Sequence, residues 1–301
     1  MRTKTYLFAL MAMALTLGSC SDNENGIGGE TSKYITVSTS IGNMTRVATD
    51  EKGGQTFEEG DEISVYAWTG APTVAPETSE RVVNNAINKL TNGSWVATPQ
   101  MLWKNNRDKH YFIGVYPVSA ISDLSAGEYT FDETKQVESD LLVAVNKDGL
   151  SYNVDEQQPV PLTFTHVMAK LVVNLTYKNQ WGTEGPTVDK VVVGNAAKKA
   201  TINYLTKVVT PSTTAKEDFS LPEITENTKY VSVIIPQEDV KQLTIVIGGK
   251  NFVYDNGTPF KLESGKITTV NLEVGRDEIK LGDVKITDWE NGSTFSGEAL
   301  N

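Results

Sequence analysis

The chain has 301 residues, is 39% hydrophobic and 22% charged, and carries a formal charge of −11. This suits one large or two ordinary globular domains and excludes a disordered chain. The acidic balance offers no basic patch to neutralise phosphates, which argues against nucleic acid or anionic lipid headgroups as partners.

Residues 1–20 read as an export address. Arg2 and Lys4 form a basic start, and Tyr6 to Leu17 form an apolar run of 12 residues. That run is too short for a stable membrane span and right for a signal peptide. It ends in "LGSC", which resembles a bacterial lipobox: Leu17, two small residues, then Cys20. A peptidase cut before Cys20 exposes a thiol that takes a diacylglycerol, so the membrane is met only through lipid. Cys20 is the sole cysteine, so an intramolecular disulfide or a cysteine-rich metal site is not available. Residues 21–33 are polar and Gly-rich, as in a tether.

From Tyr34 onward the pattern is nearly all β. Ile35, Val37, Thr39 and Ile41 alternate with small polar residues, as in a half-buried strand. Further strands are expected over 62–68, 110–116, 141–145, 162–176, 189–193, 230–235, 243–247, 251–254 and 267–274, with turns at Asn92-Gly93 and Gly248-Gly249. Residues 74–90 are expected to form a short irregular or helical insertion. The polar stretch 146–161 ends in two prolines and places a domain boundary near 158. The expected fold is all-β: two mostly antiparallel β-sandwich domains, 34–158 and 159–301.

Residues that could carry chemistry are few. His110 and His166 both sit in apolar strand patterns, where packing is the ordinary role, and a zinc site needs more ligands at close spacing. Glu58, Glu59, Asp61 and Glu62 surround a Gly turn, where solvated side chains are the ordinary outcome. Trp68, Trp95, Trp103, Trp181 and Trp289 could stack on sugars, but core or rim packing explains them as well. Neither an enzymatic centre nor a cofactor is expected.

Several stretches taken together resemble the fimbrillin family of type V pilins. They are "FEEGDEISVYAW" (57–68), "DLLVA" (140–144), "LTFTHVMAKLVVNL" (162–175), "VIIPQ" (233–237), "GKITTVNLEV" (265–274) and "VKITDWENG" (284–292). The resemblance implies two transthyretin-like β-sandwich domains in a surface lipoprotein precursor. It also implies cutting by an arginine-specific or trypsin-like protease, here between Arg46 and Val47, with loss of the first strand. A strand from another subunit then fills the vacated groove, giving a head-to-tail fimbrium used in adhesion. Partners implied are other pilin subunits and the protease, with a host or bacterial surface ligand left open.

Lys52 offers a second basic cut site in the same loop. Val284, Ile286, Trp289 and Phe295 are the candidate donor-strand anchors near the C-terminal end. The rival reading is a surface lipoprotein that does not polymerise and instead binds glycans or anchors a fimbria. It would keep strand 34–41 and show an exposed aromatic platform.

Overall fold

The computed structural model describes residues 34–42, 56–153 and 158–289. Cys20, Arg46, Val47, Lys52 and Phe295 lie outside these residues. The strands in chain order begin with β1 (Val37–Ile41), β2 (Glu62–Thr69), β3 (Arg81–Thr91), β4 (Ser94–Thr98), β5 (His110–Tyr116), β6 (Gly127–Thr130), β7 (Leu142–Leu150) and β8 (Val160–His166). They continue with β9 (Ala169–Tyr177), β10 (Lys190–Ala197), β11 (Lys199–Asn203), β12 (Val208–Pro211), β13 (Lys216–Leu221) and β14 (Glu223–Thr225). The last are β15 (Lys229–Ile234), β16 (Gln237–Ile247), β17 (Lys250–Leu262), β18 (Lys266–Val274) and β19 (Ile279–Asp288). The fold is all-β and mostly antiparallel, as the sequence predicts.

The first half forms a seven-stranded sheet in the order β1-β8-β7-β5-β2-β3-β4. Both faces of its central strands are covered, which explains why β2 and β5 read as nearly continuous apolar runs. In β2, Ile63, Val65 and Ala67 enter one core, while Tyr66 and Trp68 enter the other. The strand at 160–166 belongs to this sheet, so the sheet runs past the expected boundary at 158.

The second half forms a four-stranded sheet (β13-β10-β16-β17) and a five-stranded sheet (β14-β15-β9-β18-β19). Val193, Leu243 and Phe252 of the first share a core with Val173, Val233 and Val270 of the second. A third sheet, β12-β11-β6, pairs a strand of the first half with one of the second. Lys198 holds the same junction: its Nζ pairs with Glu133 and lies 5.0 and 5.2 Å from the Phe131 and Phe219 ring centres.

Residues 74–90 correct the sequence reading. They hold a single 3-10 turn, Thr78–Glu80, followed by the eleven-residue strand β3. A bulge explains the misreading. Asn85 has φ 57°, and the pairing with β2 shifts register there. Buried positions then fall at Val83 and Ala86, a spacing of three that mimics a helix. Asn92-Gly93 forms the predicted hairpin turn between β3 and β4, with φ 51° and 72°.

Candidate functional site: the seam held by β1

β1 is an edge strand, yet it is not peripheral to the packing. Ile35, Val37 and Ile41 are 1%, 6% and 9% exposed, and Thr36, Ser38 and Ser40 point to solvent. This follows from the alternation of the sequence and the period of two along a strand. Burial of each apolar anchor stabilises by about 1.5–3 kcal/mol, so the three together hold β1 with several kcal/mol.

The backbone of β1 runs parallel to β8, from Val37 opposite Val160 to Ile41 opposite Phe164. The Val160 N–H donates to Thr36 O at 2.8 Å, and the Gly42 N–H donates to Phe164 O at 2.8 Å. On its other side the Ile35 N–H donates to Met101 O at 2.9 Å, and Tyr34 bridges to Leu102. The Trp95 Nε1–H of β4 donates to Thr39 Oγ1 at 3.0 Å. The sheet therefore curls until its two edges meet, and β1 closes the seam between them.

The core under β1 is built from Leu162 and Phe164 of β8, Met101, Trp103 and Phe112. Phe57 packs edge-on against Trp95, Tyr116 and Phe164 at 5.3, 5.5 and 5.1 Å. Gly114 on β5 makes the tight curl fit, because a Cβ there would lie 2.7 Å from Phe164 Cζ and 3.1 Å from Leu162 Cδ1. At the Ile41 end the seam opens into a cavity of about 390 Å³ lined by Phe57, Glu58, Asp61, Tyr116 and Asp140 among others. Burial, with Asp61 and Asp140 nearby, pushes the Tyr116 hydroxyl up to about 12, so it is a neutral donor at that mouth.

Connectivity gives this geometry its meaning. β1 pairs with β8, more than 100 residues later, but joins the rest of the described chain only through the link 43–55, which contains Arg46. A single cut in that link separates β1 from every other strand without breaking any of them. Removal would expose the β8 edge and an apolar slot, a ready template for another strand.

The C-terminal candidates are placed differently. Val284 and Ile286 sit on β19, opposite Val270 and Thr268 of β18, and are 41% and 39% exposed. Trp289 is buried. It stacks on His166 with ring centres 4.1 Å apart and planes 7° from parallel, and the Lys170 Nζ lies 5.2 Å from its ring centre. Burial pushes that Lys170 ammonium down to about 8. The His166 Nδ1–H donates to Asp140 Oδ1 at 2.8 Å.

His110 lies at the opposite end of the sheet. Its Nε2 accepts the Lys104 N–H at 3.1 Å, and its Nδ1–H donates to Asp108 O at 3.0 Å. Burial pushes its pKa below the usual histidine value, so the ring is a neutral packing element. The two histidines are not brought together: His110 starts β5, whereas Leu142, the partner of His166, faces the far end of β5 at Tyr116.

The acidic turn is local scaffolding. The Glu59 carboxylate accepts the Asn92 and Gly93 N–H groups at 2.7 and 3.4 Å, Asp61 accepts the Glu58 N–H at 2.7 Å, and Glu62 pairs with Lys89 at 2.9 Å. Trp68, Trp103 and Trp289 are buried, and Trp95 and Trp181 are half-buried, so none of the five tryptophans forms an exposed platform. Sequence reasoning missed Trp95 as a partner of β1, because the two lie 56 positions apart.

A family model described as fimbrillin-like matches residues 45–289. The chain belongs to the fimbrillin-like family. The matched stretch begins after β1 and one residue before Arg46. No curated protein matches the chain. Among solved structures, a putative cell adhesion protein from Bacteroides uniformis is similar at 19% identity and a TM-score of 0.63, covering 85% of this chain and 99% of its own. One from Bacteroides ovatus is similar at 17% identity and 0.64, with coverage of 86% and 98%. The tip fimbrial protein Mfa3 from Porphyromonas gingivalis, truncated at its C-terminus, is similar at 12% identity and 0.50, with coverage of 77% and 95%. These likenesses establish a shared fold.

Proposed function

We propose that this fimbrillin-like protein is a fimbrial subunit whose β1 is a temporary strand. The precursor is exported with Cys20 lipidated and β1 in place. A protease cuts after Arg46, β1 leaves with the lipid, and a strand of another subunit fills the seam. The observation that carries this reading is the position of β1: it is the seam strand, and it is tethered to β2 only through the link containing Arg46. Strand addition would restore backbone hydrogen bonds along β8, and alternate side chains would refill the slot. Cell adhesion is the role that fits a filament-forming surface protein, and a head-to-tail contact of this kind does not close on itself.

The same reading makes this chain an acceptor more readily than a donor. Val284 and Ile286 are already engaged in β19, and Trp289 is locked onto His166. A place at the tip or the anchored end of a fibre suits that arrangement.

Nicking the purified precursor tests the reading. After a single tryptic cut in 43–55, the segment carrying β1 is expected to exchange with an added peptide of residues 33–42, as followed by intact mass. The uncut chain is expected not to exchange. A nicked chain that keeps its original segment against excess peptide, while remaining folded, would count against a replaceable strand.

A further inference from the structure

Of the four inward positions on β1 and the two residues before it, three are filled by apolar side chains and one is not. Ile35, Val37 and Ile41 are buried, whereas Thr39 is half-buried and its hydroxyl accepts the Trp95 indole N–H at 3.0 Å. Trp95 is itself half-buried, with its ring packed edge-on against Phe57 at 5.3 Å. The slot therefore has three apolar pockets and one fixed hydrogen-bond donor, placed between the Val37 and Ile41 positions. An apolar side chain at the Thr39 position would cover that N–H without pairing it, and an unpaired covered donor is penalised.

We propose that Trp95 selects the incoming strand, which must carry a side-chain acceptor flanked by apolar anchors in the order apolar, apolar, acceptor, apolar at alternate positions. This rests on the reading of β1 as a replaceable strand. It also identifies the kind of partner. In residues 279–301, two registers supply the first three positions: Ile279, Leu281, Asp283 and Val284, Ile286, Asp288. Each then fails at the fourth, placing Lys285 or Glu290 where Ile41 is buried. Glu290 would face the carboxylates of Glu58, Asp61 and Asp140 at that mouth, and Lys285 would give up the apolar anchor that Ile41 supplies. Reading the pattern in the reverse direction finds no match in 279–301. Neither register of 279–301 therefore fills this slot as β1 does, and copies of this chain do not join to one another through these residues.

The test is competition for the nicked precursor between a fluorescent peptide of residues 33–42 and unlabelled rivals. The Thr39→Ser peptide is expected to compete like the parent. The Thr39→Val peptide, matched in shape, is expected to be weaker by about tenfold, the effect of roughly one unpaired hydrogen bond. On a Trp95→Phe chain, the Thr and Val peptides are expected to compete equally. A peptide of residues 279–301 is expected not to compete. Equal competition by the Thr39→Val peptide on the unsubstituted chain, or displacement by 279–301, would overturn the proposal.

Failure of the parent peptide to enter at all would instead refute the replaceable strand. The Trp95 contact is then decided in the uncut chain by Thr39→Val and Trp95→Phe, alone and together. Coupled effects on the unfolding midpoint support it, and purely additive effects sink it.

Discussion

Replacing Val37 by aspartate is expected to detach β1 without any cleavage. Val37 is 6% exposed and faces the apolar core opposite Val160. A carboxylate buried there without a partner is penalised by several kcal/mol, comparable to all that holds β1 in place. An edge strand has a cheaper way out than global unfolding: it can leave. The V37D precursor should therefore keep its sheet content while residues 34–42 lose hydrogen-exchange protection. With the slot open it should also self-associate or bind added β1 peptide. Ser38→Asp, one residue along and facing solvent, should change stability by no more than about 0.5 kcal/mol. Unchanged protection of residues 34–42 in V37D would show that β1 is held more rigidly than its edge position suggests.

Arg46→Ala is expected to abolish assembly while leaving a folded precursor at the cell surface. The substitution lies in the link between β1 and β2, outside the residues of every strand described above, so its effect on folding should be small. Its effect on assembly should be nearly complete, because an uncut β1 is present at an effective concentration that an incoming strand cannot match. Lys52 lies in the same link, so the decisive variant carries Lys52→Ala as well. The measurement is the amount of high-molecular-weight fimbrial material sheared from cells making each variant. Normal fibres from the doubly substituted chain would exclude cleavage in this link as the trigger.

How far the sequence revealed this structure depended on the range of the interactions involved. β5 was legible to the residue, because both of its faces are buried and its run of seven has no gaps. β1 was legible because one face is buried and the alternation is clean. β3 was not, since the bulge at Asn85 broke the period of two. The run 162–176 read as one strand, but at Val167-Met168 the chain passes from the seven-stranded sheet to the five-stranded one, and because both side chains are buried, hydropathy marked no break. β6 could not be seen, because it is short and exists through pairing with β11 some 70 residues away, and β11 is itself a short strand held between β6 and β12. The alternation of Val284 and Ile286 was visible, and a strand forms there, but its pairing with β18 could not be read locally. For the candidate site, the alternating strand and the arginine that follows it were visible, whereas the strand's partners β8 and Trp95 were not.

The most direct test of the replaceable strand is the N-terminal sequence and intact mass of the protein sheared from its native cells. The account predicts a chain that begins at Val47 and carries no lipid, with β1 gone. A population consisting only of lipid-bearing chains that start at Cys20 would contradict it, and would mean that β1 remains a permanent part of the fold.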